Sequence, residues 1–194
     1  MIGDILDITA KDLEEYSKIS IAFEVKSIYE VKLIDNGLGG IKLIETEVDP
    51  HVKDYDEIEE GNKPIDWSNE FDITNWGLFL IYDDSIPIAG ATVAFDTSNI
   101  GMLHGKKDRA MLWDLRVHPD YRRLGLGKKL FQKIKEWSKN KGCNRLIIDT
   151  QNSNVPACKF YVQQGCQLGE INRFKYIDNP KIKDEVMLVW YLSL

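Results

Sequence analysis

The run from residue 112 to 130, Leu-Trp-Asp-Leu-Arg-Val-His-Pro-Asp-Tyr-Arg-Arg-Leu-Gly-Leu-Gly-Lys-Lys-Leu, constrains this chain more than any other stretch. Residues 112–117 are β-rich and bounded by Pro119, so they read as a buried strand. From Leu126 onward, Leu126, Leu130, Phe131, Ile134 and Trp137 recur at helical spacing on one face. Residues 122–127 therefore sit where a strand hands over to a helix. The first amides of a helix have no internal acceptor, the macrodipole places about half a positive charge there, and glycine admits close approach to the backbone. With Arg122, Arg123, Lys128 and Lys129 around it, the junction predicts an anion site whose natural guest is a phosphate.

Spacing excludes two common phosphate binders. A Walker loop needs Gly-x-x-x-x-Gly-Lys-Ser/Thr, but Gly127-Lys128 is followed by Lys129 and Arg122 stands where the first glycine belongs. A dinucleotide fingerprint needs a third glycine where this chain has Leu130. What remains is Arg-x-x-Gly-x-Gly, from Arg122 to Gly127. Downstream, residues 144–150 read as a second buried strand, followed by Asn154-x-x-Ala157-x-x-x-Tyr161-x-x-x-Gly165. Asn154 is a good helix N-cap, Pro156 is tolerated in the first turn, and Gly165 suits the stop. Ala157 and Tyr161, four apart, share a face.

Together these two patterns resemble the GNAT superfamily of N-acetyltransferases. The resemblance implies an α/β (α+β) fold, a mixed and mostly antiparallel twisted sheet flanked by helices. It implies acetyl-coenzyme A as cosubstrate, with its pyrophosphate on the loop Arg122, Arg123, Leu124, Gly125, Leu126, Gly127 and Lys128. It also implies a backbone donor for the reacting oxygen from Leu115, Arg116 or Val117, contacts from Asn154 and Ala157, and Tyr161 as general acid for the departing thiolate. Cys166 departs from the pattern, which usually has Phe after the glycine; no catalytic role rests on that position.

A narrower resemblance rests on Trp-Asp-Leu-Arg-Val at 113–117, Phe-Asp-Ile-Thr-Asn-Trp-Gly at 71–77, Asp-Thr-Gln-Asn-Ser-Asn at 149–154 and Val-Trp-Tyr-Leu at 189–192. These look like the streptothricin acetyltransferases, which acetylate an amino group of an antibiotic. The implied acceptor is a small cationic amine; a polyamine or a protein amino group is the alternative, and a non-catalytic acyl-coenzyme A binding module a third. Retention of Tyr161 speaks against the last. Most of a lysine-like amine, with a reference pKa near ~10.4, is protonated at neutral pH and must lose a proton before attack. Asp114 is the one carboxylate in the central strand and a candidate base. It alternates with Trp113 and Leu115, so it can equally point away and anchor a neighbouring strand. A water chain ending on a carboxylate of residues 45–72 competes with it.

At 194 residues and 43% hydrophobic content, one domain is expected, 1–194, with 1–76 a variable acceptor-side part and 77–192 the acetyl-coenzyme A core. A net charge of −6 argues against nucleic acid as a partner. The N-terminus, acidic where a signal peptide is basic, and the lack of a long apolar run predict a cytoplasmic chain with no membrane partner; a homodimer is compatible with it. Cys143, Cys158 and Cys166 read as free thiols, and the scattered His51, His104 and His118 predict no metal.

Residues 9–20 predict a short helix capped by Thr9. Alternation from Phe23 to Leu33, a turn at 36–40 and a strand at 41–48 predict a hairpin, and 77–82 with 88–95 predict another. Two strands, 167–176 and 185–192, are expected at the end. Residues 45–60 hold eight acidic side chains against one lysine. This is either a solvated face or an acidic wall that draws in a cationic acceptor, extended by Trp67, Phe71 and Trp76 with Asp66, Glu70 and Asp72.

Overall fold

In the computed structural model, which describes residues 1–58 and 61–194, the buried run at 112–117 belongs to strand β6 (Arg109–Val117). Contacts divide the chain into two units. The first comprises Met1–Ala22, Asp54–Ile148 and Leu192–Leu194, the second Phe23–Lys53 and Asp149–Tyr191.

In the first unit β6 lies within the order β1 (Leu6–Asp7), β4 (Gly77–Asp83), β5 (Ile86–Ala94), β6, β7 (Arg145–Gln151); the last pair is parallel and the others antiparallel. The β4–β5 turn forms because Asp84 accepts a left-handed φ of 51°, which aspartate tolerates better than most residues. Helix α3 (Leu126–Asn140) packs on β4, β5 and β6 through the stripe that the spacing predicted. Leu126, Leu130, Phe131 and Ile134 are buried, each contributing about 2 kcal/mol. Trp137 is half-buried and meets Phe95 edge-on at 6.1 Å.

The opposite face carries α1 (Leu13–Ser17), preceded by a 3-10 turn in which Thr9 and Asp12 form a capping box. Leu13, Tyr16 and Ile19 pack there with Trp67 of α2 (Trp67–Glu70), Trp76, Leu78, Leu80, Ala94 and Met111. Gly90 makes this possible: a Cβ at that position would lie 2.6 Å from the Tyr16 ring.

A β-bulge decides the shape of β6. Val93 pairs with Leu112 and Thr92 with Asp114, so Trp113 is an extra residue on β6. Strict alternation would put Trp113 and Asp114 on opposite faces, but the bulge brings both to the α1 face. Trp113 packs against the cluster containing Tyr16, and Asp114 accepts a hydrogen bond from the Tyr16 hydroxyl. The ladder to β7 ends at the same place, with Leu112↔Ile148 its last pair. A bulge bends and twists its strand, which is why pairing stops there.

The second unit contains a long ribbon of β2 (Phe23–Ile34) and β3 (Gly40–Lys53), helix α4 (Val155–Gln163), β8 (Gln167–Asn172) and, as far as Tyr191, its antiparallel partner β9 (Met187–Ser193). The hairpin expected at 23–48 is present and longer than its pattern suggested. The strand expected over 167–176 stops at Asn172, whose side chain accepts from the Phe174 amide and turns the chain. Asn152 clasps this unit. Its side-chain amide donates to the Tyr29 carbonyl (2.9 Å) and its side-chain oxygen accepts from the Val186 amide (2.8 Å). Its main chain bonds Tyr29 and Val186 as well, at 2.9 Å each. Asn152→Ala should lower stability by about 2 kcal/mol, since two part-buried main-chain groups lose their partners; a urea titration with an unchanged midpoint would rule the clasp out.

The architecture is the expected one, a mixed and mostly antiparallel sheet flanked by helices. No helix among the described residues is long and apolar enough to cross a membrane.

Candidate active site

Beyond its bulge, β6 has one hydrogen-bonded neighbouring strand among the described residues, and register dictates which main-chain groups that leaves over. The His118 amide donates to the Ile88 carbonyl at 2.8 Å, and Ala89, Gly90 and Ala91 lie opposite Val117, Arg116 and Leu115. Bonded pairs alternate in an antiparallel ladder, so Arg116 is bonded to Gly90 while Leu115 and Val117 direct N–H and C=O away from β5. The Val117 carbonyl on that edge is taken by Arg122 Nε at 3.0 Å. Of the three residues expected to offer a donor, Leu115 and Val117 present theirs on the open edge; the Arg116 amide is committed to β5.

The loop after β6 is held by side chains as much as by glycine. Pro119 opens a 3-10 turn, and the His118 ring accepts from the Asp120 amide. Arg122 then bonds two carbonyls, Val117 and Ala22, the latter at 2.6 Å, so its guanidinium braces the loop. Arg123 and Gly125 both adopt left-handed φ, 67° and 83°, with the exposed Leu124 between them. This winding aims successive amides to one side, as in anion-binding nests. The first helical bond of α3 runs from the Lys129 amide to the Gly125 carbonyl, so the amides of Leu126, Gly127 and Lys128 have no acceptor within the helix. Lys129 pairs with Asp4, whereas Arg123 and Lys128 are exposed and have no ion-pair partner among the described residues. A Cβ on Gly125 would meet nothing within 4 Å, so the cradle is open. Three amides, two uncommitted cations and open space fit a pyrophosphate.

Asp114 and Arg116 form a buried network on the α1 face. Arg116 Nε and Nη2 donate to the two Asp114 oxygens (2.9 and 2.8 Å), and Nη1 and Nη2 donate to Asp56 (2.8 and 3.2 Å). Nη1 also donates to the Ile19 carbonyl at 3.0 Å, and the guanidinium lies 5.4 Å from the Tyr16 ring centroid. The Tyr16 hydroxyl donates to Asp114 at 2.6 Å. Burial pushes the Tyr16 hydroxyl well above its ordinary range, and raises the Asp56 carboxyl despite the bonds from Arg116. Both oxygens of Asp114, the expected base, are therefore engaged. Neither Tyr16 nor Asp56 was visible as a partner in sequence, because they lie 98 and 60 residues from the groups they bind.

In the second unit Asn154 caps α4 by accepting from the Ala157 amide at 3.2 Å, with Pro156 in the first turn. Tyr161 is buried on the same helix and meets Phe160 edge-on. Gly165 takes φ 88°, and the Cys166 amide returns to the Tyr161 carbonyl at 3.0 Å. Cys166 thus occupies a buried place where the pattern has an aromatic. All three cysteines are buried thiols outside any disulfide; burial pushes the Cys143 and Cys158 thiols up to about 11 and about 12. Neither should react with iodoacetamide at pH 8 in the native protein, and the intact mass should rise by three adducts only after unfolding.

The acidic run is no single wall. Glu45, Glu47 and Asp49 belong to the ribbon, while Asp54, Asp56 and Glu57 belong to the first unit. Glu45 pairs with Lys159, Asp56 with Arg116 and Glu57 with Lys63; Asp54 accepts from the Asp56 amide. Glu59 and Glu60 lie outside the described residues. The expected aromatic extension is largely core: Trp67 and Trp76 are buried, with Phe71 and Trp113 partly so, their rings 4.8 Å apart. Among the described residues, no three His, Cys, Asp or Glu side chains gather as a metal site.

An open strand edge followed by a cation-flanked helix head, on a mixed, mostly antiparallel sheet, is an arrangement that suits a group-transfer enzyme with a phosphate-bearing cosubstrate. The chain belongs to the acetyltransferase (GNAT) family, whose model matches residues 42–166, and it is an N-acetyltransferase. Among its relatives, a streptothricin acetyltransferase of Escherichia coli is 26% identical over 87% of this chain and 84% of that one. Streptothricin acetyltransferase A of Bacillus subtilis is 33% identical over 42% of this chain and 47% of its own. A Bacillus anthracis structure assigned as a streptothricin acetyltransferase, solved in complex with acetyl coenzyme A, superimposes with a TM-score of 0.75. That match covers 100% of both chains at 25% identity.

Proposed function

We propose that this chain transfers acetyl from acetyl-coenzyme A to a primary amine of a small cationic molecule of the streptothricin type. The observation that carries the donor half is the unpaired β6 edge leading into the left-handed, cation-flanked turn at the head of α3. When bound, acetyl-coenzyme A supplies an acetyl group activated as a thioester. The amides of Leu126, Gly127 and Lys128, with the charges of Arg123 and Lys128, hold its pyrophosphate. Arg122 shapes the loop and Gly125 keeps it open, with Leu124 at its exposed rim. The amides of Leu115 and Val117 take the acetyl oxygen and the adjoining pantetheine arm; one such donor contributes about 3 kcal/mol to transition-state stabilisation. Tyr161 gives the departing sulfur its proton and regains one from the nitrogen of the new amide, and Asn154 and Ala157 contribute cofactor contacts. The acceptor's ammonium proton leaves through water to a carboxylate of residues 54–72 other than Asp56, which with Asp114 remains in the Arg116 network.

Residues 77–192 serve the donor and 1–76 the acceptor, within one catalytic domain. The streptothricin reading is supported by likeness along nearly the whole chain, in contrast to a match confined to the donor half. The test is acetyl-coenzyme A dependent product formation, followed by mass spectrometry with streptothricin offered beside spermidine and a lysine-containing peptide. Selective acetylation of streptothricin supports the reading. Acetylation of spermidine or the peptide alone overturns the acceptor, and no product despite cofactor binding does the same.

A further inference from the structure

The edge that must receive the thioester is the edge that lacks a neighbouring strand. Beyond Leu112↔Ile148 the second half of β6 has no ladder to β7, so one of the two rows of hydrogen bonds that hold a central strand is missing there. Catalytic donors nevertheless act through being fixed before the reaction begins. Something other than strand pairing has to hold residues 113–117.

We propose that Arg116 is a positioning residue that replaces the missing strand, latching the 54–58 segment and the end of α1 onto β6 so that the amides of Leu115 and Val117 stay aligned. This rests on the reading that those two amides serve the thioester. The geometry leaves no donor of the side chain over. A guanidinium has five N–H donors. Here Nε binds Asp114, Nη1 binds Asp56 and Ile19 O, and Nη2 binds Asp114 and Asp56, which engages all five. The side chain has no exposed surface. Arg116 stands between the two open-edge residues, so a fork fixed at its tip on two other chain segments and on Asp114 of its own strand restrains the backbone on either side of it.

Two of the partners are distant in sequence, the Ile19 carbonyl just past α1 and Asp56 in the 3-10 turn Tyr55–Glu57, while Asp114 lies on β6 itself and directly follows the bulge residue. Two carboxylates face one guanidinium, and the Tyr16 hydroxyl on Asp114 helps to hold the excess negative charge. Asp56 is the outermost member, its side chain 14% exposed against 5% for Asp114. It is therefore the place where the latch can be loosened with least damage. Lysine cannot substitute for Arg116, because a point charge with three donors cannot bridge two carboxylates in a plane.

The test uses the full chain and three variants, Asp56→Asn, Arg116→Lys and Arg116→Met, with melting temperature, acetyl-coenzyme A affinity by calorimetry, turnover, and hydrogen exchange by peptide. Asp56→Asn should fold, bind acetyl-coenzyme A within about threefold of the parent, and lose about tenfold in kcat, since small misplacements of reacting groups carry large rate losses. Arg116→Lys should lose about 100-fold in kcat with a much smaller change in affinity. Exchange should quicken in the peptide spanning 113–117 and stay unchanged in β4 and β5. Unchanged turnover in folded Asp56→Asn overturns the proposal. So does a loss in which affinity and turnover fall by one factor while exchange rises across the whole sheet, which is the signature of general destabilisation. If Arg116→Met fails to fold, Asp56→Asn still decides. A parent protein that does not bind acetyl-coenzyme A at all would instead refute the underlying reading of the edge amides.

Discussion

Gly125→Val weakens acetyl-coenzyme A binding about 100-fold, the loss expected when two charge-assisted hydrogen bonds to phosphate are displaced. Two effects combine at this position. Valine at φ 83° is strained, at a cost of about 1–3 kcal/mol in stability. Its branched Cβ also projects into the space left open at the head of α3, where phosphate oxygens have to approach Leu126, Gly127 and Lys128. The chain carries its own control for the first effect. Gly142, past the other end of α3, has φ 81° and equally open surroundings, but lies at the carbonyl end of the helix, where no anion is favoured. Gly142→Val should lose comparable stability and no affinity. Calorimetric titration of both variants at the same temperature separates strain from occlusion; equal affinity in the two would remove the phosphate cradle from residues 122–128.

Tyr161→Phe should lower kcat about 100-fold, with acetyl-coenzyme A affinity within about twofold of the parent. Proton transfer by a positioned side chain contributes about 10²–10⁴-fold, and the substitution removes the hydroxyl while keeping the ring. That ring is buried on α4 and packs edge-on against Phe160, so the helix should be preserved. Near-normal turnover in a folded Tyr161→Phe protein would move the proton donor elsewhere. Equal losses in affinity and turnover would make Tyr161 a packing residue.

The parts of this protein that were legible from sequence are those whose chemistry is local. The strand, the turn at Pro119 and the stripe from Leu126 to Ile134 lie within about two dozen consecutive residues. Their conformations follow from β propensity, proline, glycine and helical spacing. The cap from Asn154 to Ala157 and the stop at Gly165 are read in the same way, and both are present. Pattern failed where a single residue changed phase. Trp113 looks like one more step of an alternating strand, yet its bulge turns Asp114 toward Tyr16 and ends the pairing with β7. The acidic run, left open between a solvated face and an acidic wall, shows a related limit: a cluster in sequence is divided among separate ion pairs with Lys159, Arg116 and Lys63.

Sequence by itself determined the turn between a strand and a helix, with its orphan amides and flanking charge, because winding, unbonded amides and charge are all properties of adjacent residues. Only the tertiary structure decided which amides of β6 are free and what Asp114 and Arg116 hold. Those answers depend on strand register, on one inserted residue, and on partners 60 and 98 positions away, which no local preference specifies.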